Sequence, residues 1–99
     1  MKSNVRNYLR ALAQHLQPIV MVGKEGLSEN VVKALDEALA CHELVKVKFQ
    51  ANKEDTRDIS ESLAKKTKSD VVSVIGFTSV FYKKSEKELI EIPHSLTRK

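Results

Sequence analysis

Residues Ile19 to Leu35 read IVMVGKEGLSENVVKAL, and this stretch decides the fold class. Ile19-Val20-Met21-Val22 is a short, fully apolar run, which reads as a buried strand. Two of the chain's three glycines follow at Gly23 and Gly26, where the chain must change direction. Ser28 stands at the position of a helix N-cap. Beyond it Val31, Leu35 and Leu39 recur at helical spacing, with Val32 and Ala38 beside them. A strand running through a tight loop into an amphipathic helix marks an α/β domain.

Upstream, Val5, Leu9, Leu12 and Leu16 give a helical seam over Asn4–Leu16, which Pro18 closes. Lys2, Arg6 and Arg10 fall four residues apart and form a basic stripe away from that seam. Downstream, LVKVKFQ (Leu44–Gln50) alternates, with Val45, Val47 and Phe49 on one side and Lys46 and Lys48 on a wet face. Asn52 to Asp55 is a polar turn. Ile59, Leu63 and Ala64 support a third helix near Thr56–Lys68 whose basic last turn suits the helix dipole. Val71–Ile75, a turn at Gly76-Phe77 and Thr78–Lys84 read as a hairpin. The order is α-β-α-β-α-β-β. Alternating strands and helices imply right-handed crossovers and parallel pairing of the early strands, while the hairpin adds an antiparallel strand. The expected architecture is a two-layer α/β domain with a mixed four-stranded sheet.

Ninety-nine residues make one domain, with a core over about 3–93 and a frayed tail at 94–99. Such a chain hides roughly 65% of its unfolded surface, enough for a core without staples. Charged residues are 30% and apolar residues 41% of the chain, a folded and soluble composition. No apolar run approaches the ~20 residues of a membrane span. The start, MKSNVRNYLRALAQ, lacks a signal-peptide pattern, and the single Cys41 forms no internal disulfide. A cytoplasmic, monomeric protein is expected. The net charge of +4 points to a polyanionic partner. The absence of tryptophan, with only five aromatic residues, argues against a multi-aromatic platform for single strands.

The Gly23-Lys24-Glu25-Gly26 loop supports two readings. It lacks the four-residue spacing and Lys-Ser/Thr ending of a nucleoside-triphosphate loop, and it is not a dinucleotide fingerprint. It is either a plain turn or, at a helix N-terminus with free amides, a place where a phosphate chain can approach the backbone. Lys24 adds a cation and Glu25 opposes it. On the second reading, a β-branched side chain at Gly26 should impair binding more than stability. The Lys46/Lys48 face and the Lys2-Arg6-Arg10 stripe are each either solvated surface or part of one basic track with the loop. His15, His42 and His94 show no metal-ligand spacing with Cys41, which reads as a packed small hydrophobe. No catalytic constellation, metal site or cofactor is expected.

Four motifs stand in order: PIVMVGKEGL (Pro18–Leu27), HELVKVKF (His42–Phe49), VIGFTSVFYKK (Val74–Lys84) and IEIP (Ile90–Pro93). In that order and spacing the chain resembles the CRM-domain (YhbY-like) RNA-binding proteins, over nearly its whole length. The resemblance implies a fold similar to the C-terminal domain of translation initiation factor three, with Gly23, Lys24, Glu25 and Gly26 as an RNA-contacting loop and Gly76 as the hairpin glycine. It also implies association with precursors of the large ribosomal subunit. The chain departs from the family at Phe77, where a basic residue is frequent, and at Lys83, where arginine is frequent; lysine keeps the charge but not the bidentate fork.

The expectation is therefore a non-enzymatic RNA-binding protein of large-subunit assembly. Its candidate contacts are Gly23, Lys24, Glu25, Gly26, Lys2, Arg6, Arg10, Lys46, Lys48 and Lys83. Two other classes compete. An adaptor for a ribosomal protein or assembly factor would bind RNase-treated particles without salt dependence. A general DNA binder would take duplex DNA and structured RNA equally.

Overall fold

The computed structural model describes residues 2–50 and 55–84. The expected tail at 94–99, the apolar patch of Leu89, Ile90 and Ile92, the IEIP motif and most of the turn at Asn52–Asp55 lie outside the described residues. Helix α1 spans Ser3–Ala13, β1 Val20–Val22, α2 Glu29–His42, β2 Leu44–Phe49, α3 Thr56–Thr67, β3 Asp70–Ile75 and β4 Thr78–Tyr82. The element order matches the sequence reading.

The four strands form one mixed sheet in the order β1-β2-β4-β3. β1 and β2 pair in parallel, and β4 pairs antiparallel with both β2 and β3. The hairpin turn gives Gly76 a φ of +57°, while Phe77 keeps a negative one. That combination is a type II′ turn, whose twist suits adjacent antiparallel strands.

The layer count differs from the expectation of two. Leu35 and Leu39 of α2 and Leu63 and Ala64 of α3 pack with Val45, Val47, Phe49 and Phe81 on one face of the sheet. Val5, Leu9 and Ala13 of α1 pack with Leu44, Val72, Val80 and Tyr82 on the other face. The domain thus has three layers: one helix, the sheet, and two helices. The lysine face of β2 begins with an apolar residue, Leu44, and α1 covers that end alone.

Other departures follow from the same geometry. Helix α1 stops at Ala13 in i→i−3 bonds (Gln14 N–H to Ala11 O, His15 N–H to Leu12 O, Leu16 N–H to Ala13 O), short of Pro18. Leu16 therefore leaves the seam and is 37% exposed. β1 is an edge strand that α1 does not cover, so the run expected to be buried is covered on one face only. Val20 and Val22 face the core, and Met21 and Ile19 are exposed. Cys41 is exposed rather than packed; two positions past Leu39 lies about 200° round the helix.

Helix α3 buries hydroxyls as well as apolar groups. Ser60 Oγ and Ser79 Oγ lie 2.6 Å apart, and Thr67 Oγ1 donates to Leu63 O at 2.8 Å. Each buried hydroxyl so paired avoids the cost of an unsatisfied polar group.

Candidate nucleic-acid interface

The Gly23–Gly26 segment closes as a β-turn, with Gly26 N–H donating to Gly23 O at 3.0 Å. Neither Lys24 nor Glu25 has a positive φ, which leaves type I among the hydrogen-bonded turns, with glycine favoured at its fourth position. Gly26 holds φ +73° and is buried, and a Cβ there would lie 3.5 Å from Ile59 Cδ1. Gly23 has no positive φ, and nothing stands within 4 Å of where its Cβ would be. The open glycine is therefore Gly23. Gly26, read together with Gly23 as a point of close approach, is instead buried, and its missing side chain serves the backbone angle. Lys24 and Glu25 are exposed at the tip of the turn. Ser28 then caps α2, its Oγ accepting from Val31 N–H at 3.3 Å. The first helical amides, at Glu29 and Asn30, remain directed out of the helix end.

Several elements finish at the same end of the sheet as this turn. Gln50 N–H donates to Val22 O at 2.9 Å, and Phe49 N–H to Phe77 O at 2.7 Å. The hairpin tip and the glycine turn thus lie across the sheet from each other, roughly three strand spacings or about 14 Å apart at most. Between them Met21, Lys48, Thr78 and Ile75 are successive register partners. Register partners share a face, and this is the α1 face, since Lys46 opposite Val80 lies on it too. Met21 is 47% and Ile75 65% exposed, so the row is an uncovered strip of mixed apolar and basic character.

Helix α1 borders this strip. Arg10, Ala13, Gln14 and Lys46 line a groove of about 430 Å³ with Ser73, Ile75, Thr78 and Val80. A second groove of about 370 Å³ runs along β3, lined by Val71–Ile75 with Arg6, Arg10, Arg57 and Glu61. Arg10, Ser73 and Ile75 belong to both grooves, so the two are continuous. Arg6 and Arg10 are one helical turn apart, where like charges cost about 0.2–0.5 kcal/mol. The Arg10 guanidinium donates to Asn7 Oδ1 at 3.3 Å.

Over residues 1–83 the sequence matches the CRS1 / YhbY (CRM) domain. This chain belongs to the CRM-domain family. The Bacillus subtilis (strain 168) relative named "Probable RNA-binding protein YqeI" is 44% identical over 90 residues, covering 89% of this chain and 94% of the relative. A Haemophilus influenzae relative named "RNA-binding protein" is 39% identical over 89 residues, covering 89% and 90% of the two chains. The solution structure of a hypothetical protein from Staphylococcus aureus superposes with a TM-score of 0.82 at 39% identity, covering 94% and 99%. The α/β fold with three helices and a mixed four-stranded sheet is shared with that structure.

Within this CRM domain the candidate residues divide. Gly23, Lys24, Glu25, Gly26 and Lys48 gather at the turn end, and Lys46, Arg10 and Arg6 continue along the grooves. Lys2, at the N-cap of α1, is exposed and lines neither groove. Lys83 is not brought to this surface. It follows Tyr82 at the opposite end of the sheet, where its Nζ lies 3.6 Å from Asp36 Oδ1. Both side chains of that pair are more than a third exposed, so it adds at most about 1 kcal/mol.

The sequence reading missed Arg57, Met21 and Ile75. Arg57 carried no local signal because the other cations of its groove come from α1. Met21 read as part of a buried strand and Ile75 only as a hairpin residue, since the sequence does not tell which half of a sheet face a helix covers. Among the described residues no group of three or more His, Cys, Asp or Glu side chains could hold a metal ion. No helix among them is long and apolar enough to cross a membrane.

Proposed function

We propose that this CRM domain is an RNA-binding protein that associates, as a cytoplasmic monomer, with precursors of the large ribosomal subunit and acts in their assembly. The observation that carries the reading is the meeting of the glycine turn with the uncovered strip at one end of the sheet, from which Lys48, Lys46, Arg10 and Arg6 continue along the grooves. Family membership and relatives named as RNA-binding proteins support it. A phosphate chain reaching the open side of Gly23 meets the turn and the first amides of α2, and Lys24 supplies a positive charge there. Lys48, Lys46, Arg10 and Arg6 extend the contact as a track of positive charge, which makes affinity fall steeply with salt. Glu25, at the turn's tip, weakens any purely cationic clamp, so backbone donors dominate at the loop.

Structured RNA fits this surface better than splayed single strands. Phe49, Phe81 and Tyr82 are buried, and Tyr8 is packed against the α1-side core. Phe77, 42% exposed, is left as the one aromatic ring among the described residues that stands well out for stacking. A contact made mostly to backbone and shape is characteristic of helical RNA.

Crosslinking the protein to RNA in cells and sequencing the recovered fragments tests the proposal. Enrichment of large-subunit precursor RNA is expected, and a sample that mirrors total transcripts would sink it. Undiminished binding to RNase-treated particles would instead assign the protein to an adaptor role.

A further inference from the structure

Arg57 is the second residue of α3, and that is an unfavourable place for a cation. The helix dipole puts its positive end there, and the neighbouring Asp58 is the residue that suits the turn. The i, i+4 spacing to Glu61 returns about 0.2–0.5 kcal/mol, which the unfavourable dipole offsets, so Arg57 adds little net to folding. Its side chain lines the β3 groove together with Arg6 and Arg10, which arrive from α1 on the other face of the sheet. Guanidinium groups from two helices on opposite faces thus straddle one strand. That strand is β3, the outer member of the sheet. An edge strand presents alternate N–H and C=O groups on its open side.

We propose that the β3 edge is a second RNA site, which takes a ribose–phosphate backbone between Arg57 on one side and Arg6 and Arg10 on the other. It rests on the RNA-binding reading above and extends it past the glycine turn to the far edge of the sheet. Guanidinium forks match phosphate oxygens in pairs. Edge amides donate to the same oxygens, and edge carbonyls accept from 2′-hydroxyls, a donor that DNA does not carry. Ile75, exposed at the end of the strand, offers the apolar contact on which a sugar rests. Glu61, one turn beyond Arg57, lines the same groove and bars a phosphate from running further along α3. Because Arg10 and Ile75 also line the groove over Lys46, the edge and the sheet face form one continuous path.

The test compares wild type, Arg57→Gln and Arg57→Lys by salt-dependent titration with a stem–loop RNA and its all-deoxy counterpart, beside thermal melts. Arg57→Gln is expected to bind the RNA about tenfold more weakly and to flatten the log–log salt slope by about 0.7–0.9. Its Tm should stay close to wild type, since relief at the helix dipole and loss of the i, i+4 pairing with Glu61 offset each other. Arg57→Lys should keep the slope but regain only part of the affinity, because the fork is lost. Wild type should favour the RNA over the DNA, and Arg57→Gln should narrow that preference.

If Arg57→Gln binds as wild type does while a Gly23 variant fails, the edge site is overturned and the loop reading stands. If wild type binds RNA and DNA alike, the ribose-reading edge is overturned. If wild type binds no RNA, both readings fall. Arg57-dependent binding of a poly-glutamate peptide as tight as that of the RNA would assign the edge to a partner strand and overturn the proposal.

Discussion

Separate substitutions at Gly23 and Gly26 part the two jobs of the glycine turn. Gly26 holds φ +73°, where an L residue costs about 1–2 kcal/mol. The added methyl would sit 3.5 Å from Ile59 Cδ1, an ordinary contact, so sterics add little. A glycine-to-alanine change also stiffens the unfolded chain, returning about 0.4–1 kcal/mol. The net loss for Gly26→Ala is about 1 kcal/mol, or roughly 4–8 °C in Tm for a domain of this size. Gly23 meets neither constraint, so Gly23→Val should move stability by no more than about 0.5 kcal/mol. Its branched side chain would nevertheless occupy the open side of the turn. Losing one backbone hydrogen bond to a phosphate oxygen is worth about 1.5–3 kcal/mol, a ten- to hundredfold drop in affinity. Gel-shift titrations with a large-subunit RNA fragment, run beside thermal melts, read both quantities. A Gly23→Val protein that melts and binds like wild type would refute backbone approach at this turn. Weakened binding in folded Gly26→Ala alone would show that only the shape of the turn matters.

Three further outcomes follow from the described contacts. Arg6→Glu with Arg10→Glu should weaken RNA binding and reduce the salt slope by about 0.7–0.9 for each phosphate contact removed; an unchanged slope removes α1 from the interface. Leu9→Ala, at a fully buried site between α1 and the sheet, should cost about 2–5 kcal/mol in denaturant unfolding. A loss below about 1 kcal/mol would mean that α1 is not docked there. Lys68, the left-handed C-cap of α3 at φ 57°, should gain about 0.5–1 kcal/mol when replaced by glycine. Calorimetry should show no such gain for Lys68→Ala, which keeps the backbone cost.

The parts of the fold legible in the sequence are those set by neighbours along the chain. The alternation of LVKVKF, the Ser28 cap and the Gly76-Phe77 turn each act within a few residues, and each stands where it was read. The turn at Gly23–Gly26 was legible as a strand-to-helix junction for the same reason. Which of its glycines faces outward was not, because that depends on Ile59, a residue of α3. The side of the sheet that receives α1 was likewise hidden. An amphipathic stripe states that a helix docks, not where, and Leu44 at the head of the lysine face was the one local clue.

The interface depends on that hidden choice more than on any motif. With α1 on the side of α2 and α3, Lys46 and Lys48 would lie on a bare sheet face, and Arg6 and Arg10 would belong to another surface. Docked over Leu44, Val72 and Val80, α1 instead covers half of the face and lines its arginines along the half left open. The strand order completes the arrangement, because inserting β4 beside β2 pushes β3 to the edge. Only there can Arg57, carried on α3, share a groove with arginines from the opposite face. In the sequence the stripe and the lysine face were each readable either as solvated surface or as part of one track. They become a track through the packing of three apolar residues of α1, Val5, Leu9 and Ala13, and disrupting that packing should scatter the track before it unfolds the sheet.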